Sequence, residues 1–297
     1  MAMDLDRYLK RQKSVIDRFL SSYIVSKKKD RHCPAILCEA MEYALMAGGK
    51  RVRPILAIAG YEAAGGTSRT IIPVAASLEL IHTYSLIHDD LPAMDNDDFR
   101  RNKPTTHKVF GEGIAILAGD ALLTDAFHII AGVKADPQAL LRVISELSYG
   151  AGPGGMVGGQ TVDLIMEGTR AGRKDLLYIH THKTGALIRA SLRVGGIMAG
   201  CSPARLAALT AYGEKVGLAF QVVDDILDVT GSAEEMGKSP GADDARGKNT
   251  YPSTFGLKRS QRIAEKLIRE SLESIRRFGT RAGPLAAIAR YIISRRN

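Results

Sequence analysis

Residues 84–101, reading YSLIHDDLPAMDNDDFRR, combine apolar, acidic and basic side chains within eighteen positions. Five aspartates follow an apolar, helix-favouring stretch, and two arginines end the segment. Clustered carboxylates repel one another and are costly to desolvate unless a cation offsets them. Their hard oxygens suit Mg²⁺, which bridges to phosphates, and guanidinium groups bind phosphate oxygens in pairs. These residue types predict a metal-dependent diphosphate site; the alternative is a solvated acidic turn.

A second acidic group lies in residues 220–228, reading FQVVDDILD. Asp224 and Asp228 are one helical turn apart and therefore share a helix face. A carboxylate pair on such an apolar helix needs a metal or a cationic partner. The first aspartates of the two groups, Asp89 and Asp224, are 135 residues apart, so the fold must bring two distant helices face to face.

Asp95 lies six residues after Asp89, which places the two about 120° apart on an ideal helix. Pro92 cannot donate to the carbonyl of His88, so the helix loosens there. We therefore predict that Asp95 lies on a turn that folds back toward Asp89.

The patterns Asp89-Asp90-x-x-x-x-Asp95 and Asp224-Asp225-x-x-Asp228 resemble the two aspartate-rich motifs of the trans-isoprenyl diphosphate synthases. The resemblance covers nearly the whole chain and is closest to the short-chain farnesyl and geranylgeranyl diphosphate synthases of bacteria and plants. Phe99 and Asn102 depart from the family pattern, which commonly has Leu and Gly at these places. Neither departure affects a proposed ligand.

The resemblance implies an all-α fold, a single-domain helical bundle around a deep central cavity, spanning residues 1–297. The sequence agrees, because apolar residues recur at helical spacing and never alternate at period two for long. Helices are predicted at residues 1–25, 36–47, 71–88 and 253–297. One long loop is predicted at residues 231–252, which are rich in Gly, Pro and charge.

The resemblance also implies the reaction and its cofactor, Mg²⁺, with three ions when substrate is bound. An allylic diphosphate ionises, isopentenyl diphosphate attacks the resulting cation, and loss of a proton to the leaving diphosphate completes the condensation. The implied metal ligands are Asp89, Asp95, Asp224 and Asp228.

The segment GGKRVRP, residues 48–54, is either a basic turn between helices or an anion cradle built on glycine. His82, alone on an apolar helix, would by itself be interpreted as a satisfied core residue. The resemblance favours the cradle and assigns isopentenyl diphosphate binding to Lys50, Arg53, His82 and Arg101.

Lys183 and Thr184 precede Gly185 inside an apolar helical run, where glycine costs roughly 1 kcal/mol relative to alanine. A kink there would free backbone carbonyls toward an electron-poor carbon. The resemblance makes Lys183, Thr184 and Gln221 catalytic residues beside the allylic substrate. It adds Arg100, Lys238 and Lys248 as ligands of the allylic diphosphate and Gln160 and Asp163 as structural support.

Tyr84 and Ser85 are predicted to set product length. The growing tail must run from the charged mouth along the apolar helix before Asp89, and Tyr84 lies about 7.5 Å down that axis. Ser85 is too small to stop a chain. In the family, a large aromatic residue at the position of Tyr84 accompanies a farnesyl product, so we expect mainly C15; the alternative is that Tyr84 only packs between helices.

The chain carries a net charge of +9, but its bases form no long patch, which argues against nucleic-acid binding. The run Lys27–Lys29 is interpreted as a solvated loop. Three cysteines are too few and too poorly spaced for a disulfide framework or a zinc site, which favours a reducing cytosol and a cytoplasmic location. The first residues lack the apolar core of a signal peptide, and no apolar run of about 18 residues predicts membrane insertion.

Several other functions compete with a farnesyl product. They are a geranylgeranyl diphosphate synthase, a terpene cyclase, a non-catalytic partner subunit of the same fold and a di-metal helical hydrolase. A cyclase needs no second diphosphate site, and an inactive subunit would be expected to have lost aspartates. A di-metal hydrolase would carry a Glu-x-x-His motif on each of two helices, whereas this sequence has one such motif, Glu79 to His82. The family is usually homodimeric, which implies a homodimer here.

Overall fold

Helices account for most of the computed structural model, which describes residues 3–169, 172–230 and 250–294. The predicted all-α fold class is therefore confirmed. Two short strands, β1 (Phe99–Arg100) and β2 (Lys103–Pro104), pair as an antiparallel hairpin. The helices, in order, are α1 (Leu5–Lys29), α2 (Ala35–Leu45), α3 (Val52–Ala63), α4 (Ile71–Asp89), α5 (Thr106–Phe110), α6 (Glu112–Ala131), α7 (Pro137–Ala151), α8 (Met156–Met166), α9 (Arg173–Ile179), a π-helical turn (His180–Thr184), α10 (Gly185–Met198), α11 (Pro203–Thr230), α12 (Tyr251–Phe255), α13 (Leu257–Ser274), a 3₁₀ segment (Arg276–Ala282) and α14 (Gly283–Ser294).

Tertiary contacts divide the chain into two compact units. The amino-terminal unit comprises residues 6–58 and 67–144, and the carboxy-terminal unit comprises residues 1–5, 59–66 and 145–297. The expectation of one domain over residues 1–297 stays a prediction.

α4 forms the centre of the amino-terminal unit and packs most extensively against α6. It is apolar around its whole circumference, and residues such as Leu78, Leu80 and Ile81 are fully buried. A helix that is hydrophobic all round belongs in a core, which explains this position. α1 is amphipathic instead, and it buries one face through Ile16, Leu20 and Ile24.

The carboxy-terminal unit is built on α11, which packs against α10 and α13. Close helix packing here depends on glycine: a Cβ on Gly150 would lie 2.9 Å from the Cβ of Ala190. Gly150 is thus a packing residue between α7 and α10. Tyr212 is completely buried and donates from its hydroxyl to the carbonyl of Leu285 at 2.7 Å.

Two predictions about loops are wrong. The run Lys27–Lys29 is the last turn of α1, where cations interact favourably with the helix dipole, and Lys27 pairs with Asp125 at 2.6 Å. The predicted loop 231–252 is too long at its end, because α12 begins at Tyr251 after the cap residue Thr250, whose hydroxyl accepts from the amide of Ser253 at 3.3 Å. Residues 231–249 lie outside the described residues.

Two predictions from composition also need correction. Cys33 and Cys38 are joined as a disulfide, with their Cα atoms 6.7 Å apart, although their spacing argued against one. By length and hydropathy, α4 and α6 could each cross a membrane, although no such apolar run was predicted. Of the apolar windows, 67% is buried in α4 and 33% in α6.

Candidate active site

The first acidic segment turns back on itself after α4 ends at Asp89. The backbone amide of Asp95 donates to the carbonyl of Asp89 at 2.9 Å, so the predicted turn toward Asp89 is confirmed. Both side chains are partly exposed. The turn therefore presents two carboxylates from a short piece of backbone.

Asp90, directly after Asp89, has a different environment. It is only 3% exposed and accepts from Arg100 Nε at 2.7 Å and Nη2 at 2.6 Å. Burial raises the pKa of the Asp90 carboxyl, and the guanidinium of Arg100 opposes that rise. Asp90 thus positions Arg100 on β1 rather than serving as a metal ligand.

The second acidic motif repeats this division of roles within the carboxy-terminal unit. Asp224 and Asp228 lie one turn apart on α11 and are partly exposed, as predicted. Asp225 is buried, 6% exposed, and accepts from the backbone amide of Tyr251 at 2.8 Å. In each motif the second aspartate is therefore a buried structural acceptor.

The partly exposed aspartates fit a magnesium ion by the chemistry of their oxygens. Within residues 3–169, 172–230 and 250–294, no three acidic, His or Cys side chains are already grouped for metal binding. Mg²⁺ commonly takes one or two carboxylates and completes its octahedron with water and substrate phosphates. Asp89 with Asp95, and Asp224 with Asp228, each offer two such carboxylates, so these residues suit a metal that arrives with a diphosphate.

A basic cluster in the amino-terminal unit contains Arg53, His82 and Arg101. Arg53 Nε and His82 Nδ1 are buried and have no hydrogen-bond partner within the described residues. Burial lowers the pKa of Arg53 to about 10, with a contribution from Arg101. Burial also holds the pKa of His82 well below its usual range, helped by the charges of Arg53 and Arg101. Two buried nitrogens without partners, beside arginines that repel each other, indicate a place for an anion.

Arg51, which sequence reasoning did not assign, fixes this cluster's backbone. Its side chain is buried, with Nη1 2.7 Å from Glu79 Oε1 and Nε 2.8 Å from Asp17 Oδ1, and Nη2 donates to the carbonyl of Leu45 at 2.9 Å. Its backbone adopts φ +51, an uncommon conformation for a residue with a side chain. Arg51 thereby ties α1, α2 and α4 to the segment that carries Lys50 and Arg53.

Lys50 and Arg101 are the other residues predicted to form the anion cradle. Lys50 is exposed. Arg101 donates to the carbonyl of Gly48, and a Cβ on Gly49 would lie 2.8 Å from Arg101 Nη2. Gly49 has φ +122, so it supplies both a backbone conformation and a space that other residues cannot. The two glycines thus hold the side chain of Arg101: Gly48 accepts its hydrogen bond, and Gly49 leaves the space that it occupies.

Lys183 lies on the π-helical turn, which is the form taken by the predicted kink before Gly185. Its Nζ lies 2.6 Å from Asp163 Oδ2 on α8. A Cβ on Gly159 would lie 2.1 Å from the backbone nitrogen of Lys183, so only glycine lets α8 approach this closely. Single π turns are frequent at functional sites. Asp163 supports Lys183 directly, in line with its predicted structural role.

His180 begins the same turn and was not assigned from the sequence. Its ring is buried and stacks on Tyr251 with centroids 5.3 Å apart, and Nε2 lies 3.7 Å from Asp225 Oδ2. Burial lowers the pKa of His180 to about 4. The neutral imidazole of His180 thus connects the π turn, which also carries Lys183, with the second acidic motif.

The remaining predicted residues are placed as follows. Thr184 ends the π turn, and Gln221 lies on α11 three residues before Asp224; both are partly buried. Gln160 has a buried Oε1 without a partner within the described residues. Lys238 and Lys248 lie outside the described residues.

Tyr84 and Ser85 lie on α4 before Asp89. Tyr84 is 7% exposed, and burial together with the charge of Asp89 raises the pKa of its phenol to about 12. The hydroxyl of Ser85 donates to the carbonyl of His82 at 2.9 Å, so this side chain folds onto its own helix. Of the two, only Tyr84 can extend away from α4.

The residues that sequence reasoning missed are Arg51, Glu79 and His180. Glu79 gave a usable signal, because a lone carboxylate inside an apolar helix needs a buried cationic partner. Nothing in the pattern distinguished Arg51 from its neighbours Lys50 and Arg53.

The acidic motifs, the basic cluster and the π turn all lie in segments of the chain that are similar to known proteins. The sequence profile "Polyprenyl synthetase" matches residues 34–281. A dimethylallyltranstransferase of Fischerella ambigua is 46% identical over 98% of this chain and 84% of its own length. The chloroplastic heterodimeric geranylgeranyl pyrophosphate synthase large subunit 1 of Arabidopsis thaliana is 45% identical over 100% of this chain and 81% of its own.

A solved structure gives the same result. The apo structure of an FPP/GFPP synthase from Zymomonas mobilis superposes with a TM-score of 0.88 at 36% identity, covering 98% of this chain and 100% of that one. Matches of this extent cover both aspartate motifs, the basic cluster and the Lys183 turn. The chain belongs to the polyprenyl synthetase family and is a trans-prenyltransferase acting on isoprenoid diphosphates.

Proposed function

We propose that this prenyltransferase condenses isopentenyl diphosphate with dimethylallyl and geranyl diphosphates and releases mainly the C15 product, farnesyl diphosphate. The observation that carries the product length is the position of Tyr84. This bulky, buried side chain lies on α4 five residues before Asp89, where a growing tail would meet it.

The basic cluster binds the diphosphate of isopentenyl diphosphate. Arg53 and Arg101 repel each other in the free protein beside a neutral His82, so a bound anion relieves that repulsion and gives the orphaned Arg53 Nε and His82 Nδ1 their missing partner. Lys50, exposed beside them, adds a further charge. A terpene cyclase has no use for such a second diphosphate site.

The allylic diphosphate is bound by Arg100, Lys183, Lys238 and Lys248. Asp89, Asp95, Asp224 and Asp228 would hold Mg²⁺, whose charge would supply neutralisation of the leaving diphosphate. Arg100 is already oriented by Asp90, and Lys183 by Asp163, so both cations are positioned before substrate arrives. Thr184 and Gln221 supply polar atoms that stabilise the allylic cation in a dry cavity.

The enzyme works as a homodimer in the cytoplasm. α6 is the part of the chain suited to the contact, since its apolar window is only 33% buried and exposes Ile116 and Leu117. The name of one relative, the heterodimeric Arabidopsis large subunit, says that that protein assembles with a partner.

If α6 forms the contact between subunits, Leu117→Glu should yield monomers in light scattering. Ile293→Glu, a matched exposed position on α14, should not. Binding of the unmodified protein to lipid vesicles would instead identify α6 as a membrane contact.

A geranylgeranyl product is the second candidate, because the names of the relatives favour C20. The experiment is to incubate the protein with Mg²⁺, isopentenyl diphosphate and each allylic starter, and to separate the products by chain length. We expect mainly C15 from the unmodified protein and C20 or longer from Tyr84→Ala. Mainly C20 from the unmodified protein, with an unchanged profile in the variant, would reject Tyr84 as the stop.

A further inference from the structure

Tyr84 is supported by a second aromatic side chain on the same helix. The rings of Tyr84 and His88 lie 5.7 Å apart at 77°, an edge-to-face contact. The two residues are four apart and therefore neighbours on one face of α4. Any residue that fixes the imidazole of His88 therefore limits where the phenol ring can lie.

α6 fixes that imidazole in two ways. The Nε2–H of His88 donates to the carbonyl of Ile116 at 3.0 Å. The ring also occupies the space where Gly119 has no side chain, since a Cβ there would lie 2.1 Å from His88 Nε2. A carboxylate oxygen of Asp120 lies 3.9 Å from the same nitrogen. A chain of contacts thus runs from the backbone of α6 through His88 to Tyr84.

We propose that His88 is a positioning residue for product length: held by Ile116 and Gly119, it keeps Tyr84 across the path of the growing tail. This inference rests on the proposed function, in which Tyr84 ends that path. Without the imidazole, the phenol ring gains space on its His88 side and can turn away. Longer tails would then pass.

His88 also precedes Asp89, so it could instead serve only to hold this proposed metal ligand. The two roles predict different measurements. Support of Asp89 would change the rate and the Mg²⁺ dependence and leave the ratio of products unaltered. Support of Tyr84 changes the C20:C15 ratio even when the rate is low.

The test measures that ratio for four single variants in the full chain. His88→Ala removes the ring, and we expect the C20:C15 ratio to rise about fivefold. A change of this size corresponds to a free energy within the range of one aromatic contact. Gly119→Ala keeps His88 but excludes its ring from the present position, so the same direction is expected. His88→Gln retains a donor for the Ile116 carbonyl without a ring and should also lengthen products. His128→Ala, an exposed histidine of α6, is the matched control and should leave the ratio unchanged.

Combination with Tyr84→Ala separates this inference from the proposed function. If Tyr84→Ala lengthens products and adding His88→Ala has no further effect, the two residues act in one path. If Tyr84→Ala lengthens products but His88→Ala and Gly119→Ala do not, His88 has no such role while the stop at Tyr84 stands. If Tyr84→Ala alters nothing, the stop lies elsewhere and both proposals fail. Variants that lose their helical circular dichroism are replaced by His88→Gln, whose smaller change retains the hydrogen bond.

Discussion

Arg51 and Glu79 form a buried ion pair, with Nη1 2.7 Å from Oε1, beneath the basic cluster of the amino-terminal unit. Their side chains are 1% and 2% exposed, so neither charge is offset by water. Glu79 also favours the charged forms of Arg53 and Arg101, which are otherwise disfavoured by burial. One carboxylate therefore stabilises several cations to which we assign substrate binding.

Glu79→Gln should destabilise the protein and weaken isopentenyl diphosphate binding together. Leaving Arg51 without its buried partner is expected to cost about 3 kcal/mol in the free energy of unfolding. Asp17→Asn is the matched control, because Asp17 is 28% exposed and solvent screens its contact with Arg51. Urea unfolding and the KM for each substrate provide the measurements. A rise in the KM of both substrates by the same factor would contradict a specific role in the basic cluster.

Removal of one of the proposed metal ligands should abolish condensation without unfolding the protein. We expect Asp89→Ala or Asp224→Ala to lower kcat by about a hundredfold or more, because ionisation of the diphosphate depends on charge neutralisation. Asp98→Ala provides the control, since Asp98 is exposed and pairs with Lys108 at 2.8 Å. Product formation is measured with Mg²⁺ and after its removal with EDTA. Full activity in EDTA would overturn the proposed mechanism.

The sequence predicts best those features that depend on local geometry. The turn from Asp89 to Asp95 follows from Pro92, and the shared face of Asp224 and Asp228 follows from helical spacing; both are found. The kink before Gly185 is also found, although a π turn could not be distinguished from other kinks in advance.

Features that depend on distant partners were not predictable in the same way. The burial of Arg51 requires Glu79, 28 residues later, and a left-handed backbone that only the fold can impose. The polar composition of Lys27–Lys29 predicts a loop, whereas pairing with Asp125 and Glu42 supports a final helical turn. The pattern shows charge but not the partner that offsets it.

The two proposed diphosphate sites should respond separately to loss of a cation. Arg53→Ala should raise the KM of isopentenyl diphosphate about tenfold or more, since a charge-assisted hydrogen bond contributes roughly 1.5–3 kcal/mol. Lys183→Ala should instead raise the KM of the allylic substrate. Steady-state kinetics with one substrate saturating distinguishes the two effects. Equal changes for both substrates in either variant would mean that the sites are assigned incorrectly.

The burial of His180 should make stability depend on pH. Its pKa in the folded protein is about 4, below the usual value of 6.5, so the unfolded chain binds the proton more readily. The stability that the neutral His180 contributes is complete above pH 6.5 and is lost as the pH falls from 6.5 toward 4.

Asp163 opposes the shift of the His180 pKa and Lys183 adds to it, so both residues must stay unchanged in the test. His180→Phe preserves a ring that can stack on Tyr251 but does not titrate. Unfolding free energies of the unmodified protein should fall with pH more steeply than those of the variant, by up to about 1.4 kcal/mol per pH unit. His82, whose pKa is shifted in the same direction, contributes equally to both proteins and cancels in the difference. Parallel curves between pH 4 and 6.5 would show that His180 is not a buried neutral imidazole.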